Sequence, residues 1–203
     1  VSAEQAYEHC ESLTRAAAAN FYYGIRLLPR EKRDATCAVY AFARRIDDIG
    51  DGRMASAEKL ELLDVATRAL DEISSASSDP VIVALADAYT RFEMPPDALY
   101  ELIAGVRMDV IGTSYERFEE LLIYCRRVAG SIGRLCLAIF GARDSERAFA
   151  LADDLGVAMQ LTNILRDLHE DAECGRVYIP REDLLRYRLS SDGRFDGEPG
   201  QLD

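Results

Sequence analysis

Apolar residues recur along most of this chain at intervals of three and four, the spacing that lines one face of an α-helix. Leu60, Leu63, Ala66 and Leu70 form one such row, and Val39, Phe42, Ile46 and Ile49 form another. Turn and cap residues punctuate the rows. Ser2 with Gln5 reads as a capping box opening a helix that runs to about residue 19. Leu27-Leu28-Pro29 interrupts the chain, and the next helix is predicted over 31–51, stopped by Gly52. Ser56 caps a run to about residue 74, and a polar linker follows over 74–78. Asp79-Pro80 is an N-cap with proline at the first helical position. Met94-Pro95-Pro96 makes a further break, after which helix is predicted over 97–111 and a turn at Gly112-Thr113-Ser114. A long helix is expected over 116–140, ended by Gly141; Asp144 caps another reaching residue 170, closed by Cys174-Gly175. Val177-Tyr178-Ile179-Pro180 reads as extended, and 182–187 as a short last helix. Alternation at period two is absent, so seven or so helices with short connections predict an all-α fold.

Composition narrows the function classes. The 203 residues suit one helical domain over 1–189, followed by a Gly- and Asp-rich loop or tail over 190–203. Lys and Arg number 24 against 36 Asp and Glu, a formal charge of −12 that argues against a nucleic-acid partner. The five cysteines are odd in number and never paired as Cys-x-x-Cys, which predicts free thiols and a reducing cytoplasm. His9 and His169 are too few for most zinc sites. No uninterrupted apolar stretch is long enough to span a bilayer, and the N-terminus lacks the basic and apolar regions of a signal peptide.

Two acidic helix ends carry the candidate chemistry. Tyr40, Arg44, Asp47, Asp48 and Asp51 fall on one helical stripe, and Gln160, Asn163, Asp167 and Asp171 on another. Each stripe is polar on an otherwise apolar helix, so it faces either solvent or a wet cavity. Other helix faces of this chain use Glu, Lys and Arg, as in Glu58-Lys59-Leu60-Glu61, whereas these stripes use short Asp and Asn without Lys. Carboxylates crowded at the C-terminal end of a helix oppose its macrodipole and call for a compensating cation. Mg²⁺ suits such a place, because it prefers oxygen ligands and is commonly held by one or two carboxylates plus substrate phosphates. Arg44 and Arg166, beside the acids, suit the oxygens of a diphosphate. The apolar surroundings suggest that the other end of the substrate is greasy.

Five blocks together resemble the squalene/phytoene synthase family of head-to-head prenyl synthases. They are Asn20 to Pro29, Tyr40 to Asp51, Tyr124 to Gly133, Gln160 to Asp171 and Arg176 to Pro180. The resemblance implies an isoprenoid synthase-type helical bundle around a central cavity. It also implies that the chain is truncated at its C-terminus, since members continue for several more helices. By matching position, Asp47, Asp51, Asn163 and Asp167 would be Mg²⁺ ligands, assisted by Asp48 and Asp171. Tyr40, Arg44, Gln160 and Arg166 would contact substrate, and Ala17, Ala18, Ala19, Asn20 and Phe21 would lie at the diphosphate site. Here the chain departs from members with Ser, Lys or His at these positions. Tyr124 and Tyr178 match cavity tyrosines, and Gly130 with Gly133 would leave room beside the prenyl chain.

The reaction implied is the condensation of two prenyl diphosphates through an allylic cation, closed to a cyclopropane by proton loss. Phe21-Tyr22-Tyr23-Gly24, Ala43-Arg44-Arg45-Ile46 and Gly133-Arg134-Leu135 look most like presqualene diphosphate synthases of hopanoid pathways, which join two farnesyl diphosphates. Phytoene synthesis from geranylgeranyl diphosphate is the alternative, followed by squalene or dehydrosqualene synthesis; NADPH enters only if the reaction proceeds to squalene. A non-catalytic prenyl-binding helical domain is the reading outside enzymes. A greasy product suggests a peripheral membrane location, and an incompletely covered cavity wall suggests a homodimer.

Overall fold

The computed structural model describes residues 1–142 and 145–190, with the side chains of residues 19, 20 and 145 also left aside. Its regular elements are helices: α1 (Ala3–Ala17), α2 (Ala19–Ile25), α3 (Arg30–Asp51), α4 (Ser56–Asp71), α5 (Pro80–Phe92), α6 (Ala98–Val110), α7 (Phe118–Cys125), a π turn (Arg126–Gly130), α8 (Ser131–Phe140), α9 (Ser145–Arg166), α10 (Leu168–Glu173) and α11 (Arg181–Arg186). Of the predicted cap residues, Asp144 and the segment after residue 190 lie outside the described residues.

The local chemistry of the caps is visible. Ser2 Oγ accepts from the Gln5 amide at 3.2 Å, while Gln5 Oε1 accepts from the Ser2 amide at 3.1 Å. Asp79 Oδ1 accepts from the Val81 amide at 3.0 Å, and its carboxylate also takes a two-pronged hydrogen bond from Arg45 on α3. One start differs: Ala55, not Ser56, is the cap residue of α4 and makes no side-chain cap bond. Chain reversal after α8 uses Gly141 at φ 74°, where a side chain would be strained.

Packing follows from the apolar rows. α1 lies against α3 and α5; α3 packs on α5, α6 and α8; α4 packs on α6. Their apolar faces bury one core that includes Phe42, Ile46, Leu63, Leu85, Leu99, Leu135 and Ile139. A second, smaller cluster sits where α7, α9 and the segment before α11 meet, and joins Tyr115, Leu121, Tyr124, Cys125, Ile164 and Tyr178.

Three predicted boundaries change. The first helix ends at Ala17, and a separate α2 follows a break at Ala18 (φ −128°, ψ 52°). The predicted 116–140 helix is α7 and α8 joined by the π turn. The predicted helix reaching residue 170 stops at Arg166, bends at Asp167 (φ −102°, ψ 13°) and resumes as α10.

Glycines decide how the π turn meets α9. A Cβ on Gly156 would lie 2.7 Å from the backbone of Ala129 and Gly130, and one on Gly133 would lie 2.7 Å from the Ala152 carbonyl oxygen. A Cβ on Gly130 would run into the Asp153 carboxylate. Gly130 and Gly133 thus serve close helix contact, rather than leaving room for a chain. On α9 the outward positions Leu151, Leu155, Met159 and Leu165 are exposed by half or more of their surface. All five cysteines are free, and among the described residues no helix is long and apolar enough to cross a membrane.

Candidate active site

The two acidic stripes meet across one cavity of about 300 Å³. The last turn of α3 supplies Asp47, Gly50 and Asp51; α6 supplies Val106 and Asp109. Tyr124 comes from the end of α7 and Val128 from the π turn. From the other side come Gln160, Asn163, Ile164 and Arg166 of α9, Asp167 at the bend, and Asp171 of α10. Arg176 and Tyr178, from the segment leading to α11, complete the wall.

Nine of the residues singled out in the sequence therefore share this cavity: Asp47, Asp51, Tyr124, Gln160, Asn163, Arg166, Asp167, Asp171 and Tyr178. Tyr40, Arg44, Asp48, Ala17, Ala18 and Phe21 are not among its walls. Arg44 and Asp48 pair with each other at 2.7 Å on the outer flank of α3. Phe21 is 66% exposed on α2. The side chains of Ala19 and Asn20 lie outside the described residues. Two polar wall residues, Asp109 and Arg176, carry no role in the sequence reading. Arg176 stands in a matched block, whereas Asp109 stands alone at the end of α6, without the companion acids that mark the two stripes.

Charge in the cavity is crowded and only partly offset. Asp47 opens onto the cavity, yet the surrounding protein, and then the Asp51 charge, push its carboxyl up to about 6. Burial likewise raises Asp171, with Arg176 pulling the other way. Asp167 is held below the usual carboxylate range by Arg166, whose Nε and Nη2 donate to its two oxygens at 2.7 and 2.6 Å. Arg176 Nη2 donates to Asp51 Oδ1 at 2.9 Å and to the Gly50 carbonyl at 3.2 Å. Lys59 Nζ reaches the same carbonyl at 2.6 Å, so cations meet the negative end of α3.

Behind the acids stands an aromatic wall. Tyr124 and Tyr178 stack at 5.1 Å between ring centroids, and Tyr115 packs on Tyr124 at 6.0 Å. Tyr124 donates to Asp109 Oδ2 at 2.9 Å and Tyr178 donates to Asp109 Oδ1 at 2.8 Å. Burial, then the Asp109 charge, raises both phenols far above their ordinary range, so they stay protonated.

The donors offered to a ligand are hard oxygens with two guanidiniums between them. Among the described residues, no three His, Cys, Asp or Glu side chains stand close enough to hold a metal ion by themselves. Asp47, Asp51, Asn163, Asp167 and Asp171 nevertheless suit a divalent cation whose remaining ligands come from a bound anion.

Comparison with known proteins agrees with this arrangement. The family described as squalene/phytoene synthase matches residues 14–202. A phytoene synthase of Mycobacterium tuberculosis is 53% identical over 203 residues, covering 98% of this chain and 67% of its own length. A solved dehydrosqualene synthase superimposes with a TM-score of 0.84 at 32% identity, over 93% of this chain and 66% of its own. Squalene synthase HpnC from Alicyclobacillus acidocaldarius gives 0.83 at 33% identity, over 91% of this chain and 70% of its own. The chain thus spans about two thirds of the length of these relatives. Its isoprenoid synthase-type helical fold, its paired acidic helix ends and the match along nearly its whole length make it a member of the squalene/phytoene synthase family.

Proposed function

We propose that this chain carries out the head-to-head condensation of two prenyl diphosphates, with two geranylgeranyl diphosphates as substrates and phytoene as product. The observation that carries the reaction class is the meeting of Asp47 and Asp51 with Asn163, Asp167 and Asp171 across one cavity that also holds Arg166 and Arg176. The 53% identity to a protein named phytoene synthase favours the twenty-carbon substrate. Presqualene diphosphate from two farnesyl diphosphates, the first expectation from the sequence, becomes the second reading. It is favoured by Phe21-Tyr22-Tyr23-Gly24 and Gly133-Arg134-Leu135, and by the likeness to a squalene synthase structure.

In this reading the acidic residues on the two sides of the cavity hold Mg²⁺ jointly with the diphosphate. Mg²⁺, when bound, supplies Lewis-acid stabilisation of the diphosphate leaving group. Arg166 and Arg176 turn from Asp167 and Asp51 to the diphosphate oxygens and fix their orientation. Gln160 contacts the same end of the substrate. Tyr124 and Tyr178, whose side chains line the cavity, would face the allylic cation and stabilise it electrostatically. Val106, Val128 and Ile164 keep water away from it. By the family resemblance Tyr40, Arg44 and the 17–21 segment contact substrate and Asp48 assists at the metal, although none of their described side chains lines this cavity.

The test is an incubation of the chain with Mg²⁺ and farnesyl and geranylgeranyl diphosphates together, with products read by mass spectrometry. A forty-carbon hydrocarbon supports the proposal. A thirty-carbon species that keeps its diphosphate moves the assignment to presqualene diphosphate, and the absence of any coupled product from folded protein rejects both.

A further inference from the structure

Asp109 sits in the last turn of α6, and its carboxylate is the meeting point of two phenols from elsewhere in the chain. Tyr178 reaches Oδ1 at 2.8 Å and Tyr124 reaches Oδ2 at 2.9 Å. Tyr124 also donates, at a longer 3.3 Å, to the Tyr178 hydroxyl oxygen. An ionised carboxylate only accepts hydrogen bonds, and a phenol has one proton to give. With the Tyr178 proton on Asp109, and the Tyr124 proton shared between Asp109 and the Tyr178 oxygen, neither phenol has one to offer the cavity that both line. What remains toward the cavity is lone-pair density, strengthened by the negative charge behind each hydroxyl. Burial raises the Asp109 carboxyl, while the two phenols and Arg176 favour its ionised form.

We propose that Asp109 is a positioning residue that holds Tyr124 and Tyr178 as hydrogen-bond donors to itself, so that both present electron-rich oxygens and no acidic proton to the reacting carbons. The consequence for catalysis rests on the carbocation reaction proposed above; the alignment itself does not. A cation passing this wall meets two polarised phenols in a fixed direction, and the wall cannot protonate the prenyl double bonds. The rings do not depend on Asp109 for their place. Tyr124 is buried, stacked on Tyr178 and packed on Tyr115, with Leu121, Cys125 and Ile164 in the same cluster.

Asp109→Asn separates alignment from packing, because it keeps the shape and changes the donor pattern. The carboxamide oxygen still accepts from one phenol, but the amide nitrogen donates to the other, whose proton must then turn elsewhere. The experiment compares the chain with Asp109→Asn, Asp109→Glu, Tyr124→Phe and the double variant Asp109→Asn/Tyr124→Phe. Ultraviolet Raman spectra are recorded first, since the tyrosine doublet reports whether a phenol donates or accepts. One tyrosine of Asp109→Asn should change from donor to acceptor, with Asp109→Glu restoring much of the original signature. Kinetically, kcat should fall about 10- to 100-fold, as for other groups that act through a neighbour, with KM changed less than about twofold. The double variant should lose no more than the worse single one.

An unchanged doublet in folded Asp109→Asn overturns the proposal. So do additive losses in the double variant, or a loss of stability with kcat intact. If Asp109→Asn does not fold, Tyr178→Phe decides: Tyr124 must remain a donor there, and its appearance as an acceptor contradicts the alignment. Failure of the unaltered chain to couple prenyl diphosphates would reject the proposed reaction, leaving the Raman result to decide the alignment on its own.

Discussion

Arg176 Nη2 lies 2.9 Å from Asp51 Oδ1, joining two residues 125 apart in sequence across the floor of the cavity. The pair closes the segment after α10 onto the end of α3 and offsets part of the acidic charge. Asp51 is 69% exposed at its side chain, so the pair adds only modest stability. Replacing Arg176 with Ala should lower the unfolding free energy by about 1 kcal/mol. The loss should shrink as salt screens the carboxylates left behind. Urea unfolding at low and high salt measures this; an unchanged midpoint at low salt would show that the pair carries no stability.

Charge crowding makes a second prediction, in which stability and activity move apart. Burial, and then the neighbouring Asp51, disfavour the charge of Asp47. Asp47→Asn should therefore raise the melting temperature of the metal-free protein at neutral pH, because one repelling charge is gone. The gain, discounted for the access of Asp47 to solvent, is about 1 kcal/mol. The same variant, like Asp167→Ala, should lose more turnover than the roughly 10- to 100-fold typical of an outer-shell change. Thermal melts with and without Mg²⁺, beside initial rates, read both effects; near-normal rates in both variants would exclude the two acids as metal ligands.

The contact of α9 with the π turn makes a stability prediction free of electrostatics. Gly156→Ala places a methyl group 2.7 Å from main-chain atoms of Ala129 and Gly130, which cannot move aside as a side chain can. Overpacking of this kind costs about 1–3 kcal/mol. Gly24→Ala is the control, because a Cβ there meets no atom within 4 Å. Within helix α2 it should be neutral or stabilise by about 0.5–1 kcal/mol. Equal midpoints for the two variants in urea would contradict the close approach.

Acid sensitivity follows from the cap of α5. Burial would raise the Asp79 carboxyl, but Arg45 and the Val81 and Ile82 amides outweigh it and hold the carboxyl below its ordinary value. A native value below the unfolded one means that this group adds stability above about pH 4 and loses it as pH falls through the native value. Asp79→Asn keeps a competent cap and removes the ion pair. It should lower stability at pH 7 and flatten the decline of stability below pH 4. A parallel acid limb in the two proteins would rule Asp79 out as a contributor.

Much of the fold is written locally. Capping pairs such as Ser2 with Gln5, and Asp79 before Pro80, fix helix starts because each satisfies amides that the helix itself leaves unpaired. The two acidic stripes are legible for a related reason: Asp and Asn at a helix C-terminus oppose the local dipole, so their presence asks for an explanation. What escaped is tertiary. The π turn at Arg126–Gly130 has no pattern of its own and arises where Gly130, Gly133 and Gly156 let two backbones touch. The bend at Asp167 is hidden because apolar spacing runs through it from Ile164 to Leu168. Asp109 is a single acid in the last turn of α6 rather than part of a stripe, and its partners Tyr124 and Tyr178 lie 15 and 69 residues away. Of the candidate residues that share the cavity, Asp47, Asp51, Gln160, Asn163 and Arg166 came from rows on α3 and α9, whereas Arg44 and Asp48 turned to each other on the flank of α3.

The central claim is that the cavity takes a prenyl diphosphate through a divalent cation shared between the two acidic sides. Calorimetric titration with geranylgeranyl thiodiphosphate, an analogue with a poor leaving group, measures this without requiring turnover. Binding should need Mg²⁺, and it should be lost in Asp47→Ala and in Asp167→Ala, which remove one ligand from each side. Binding of equal strength without Mg²⁺, or binding that survives both substitutions, would contradict the account.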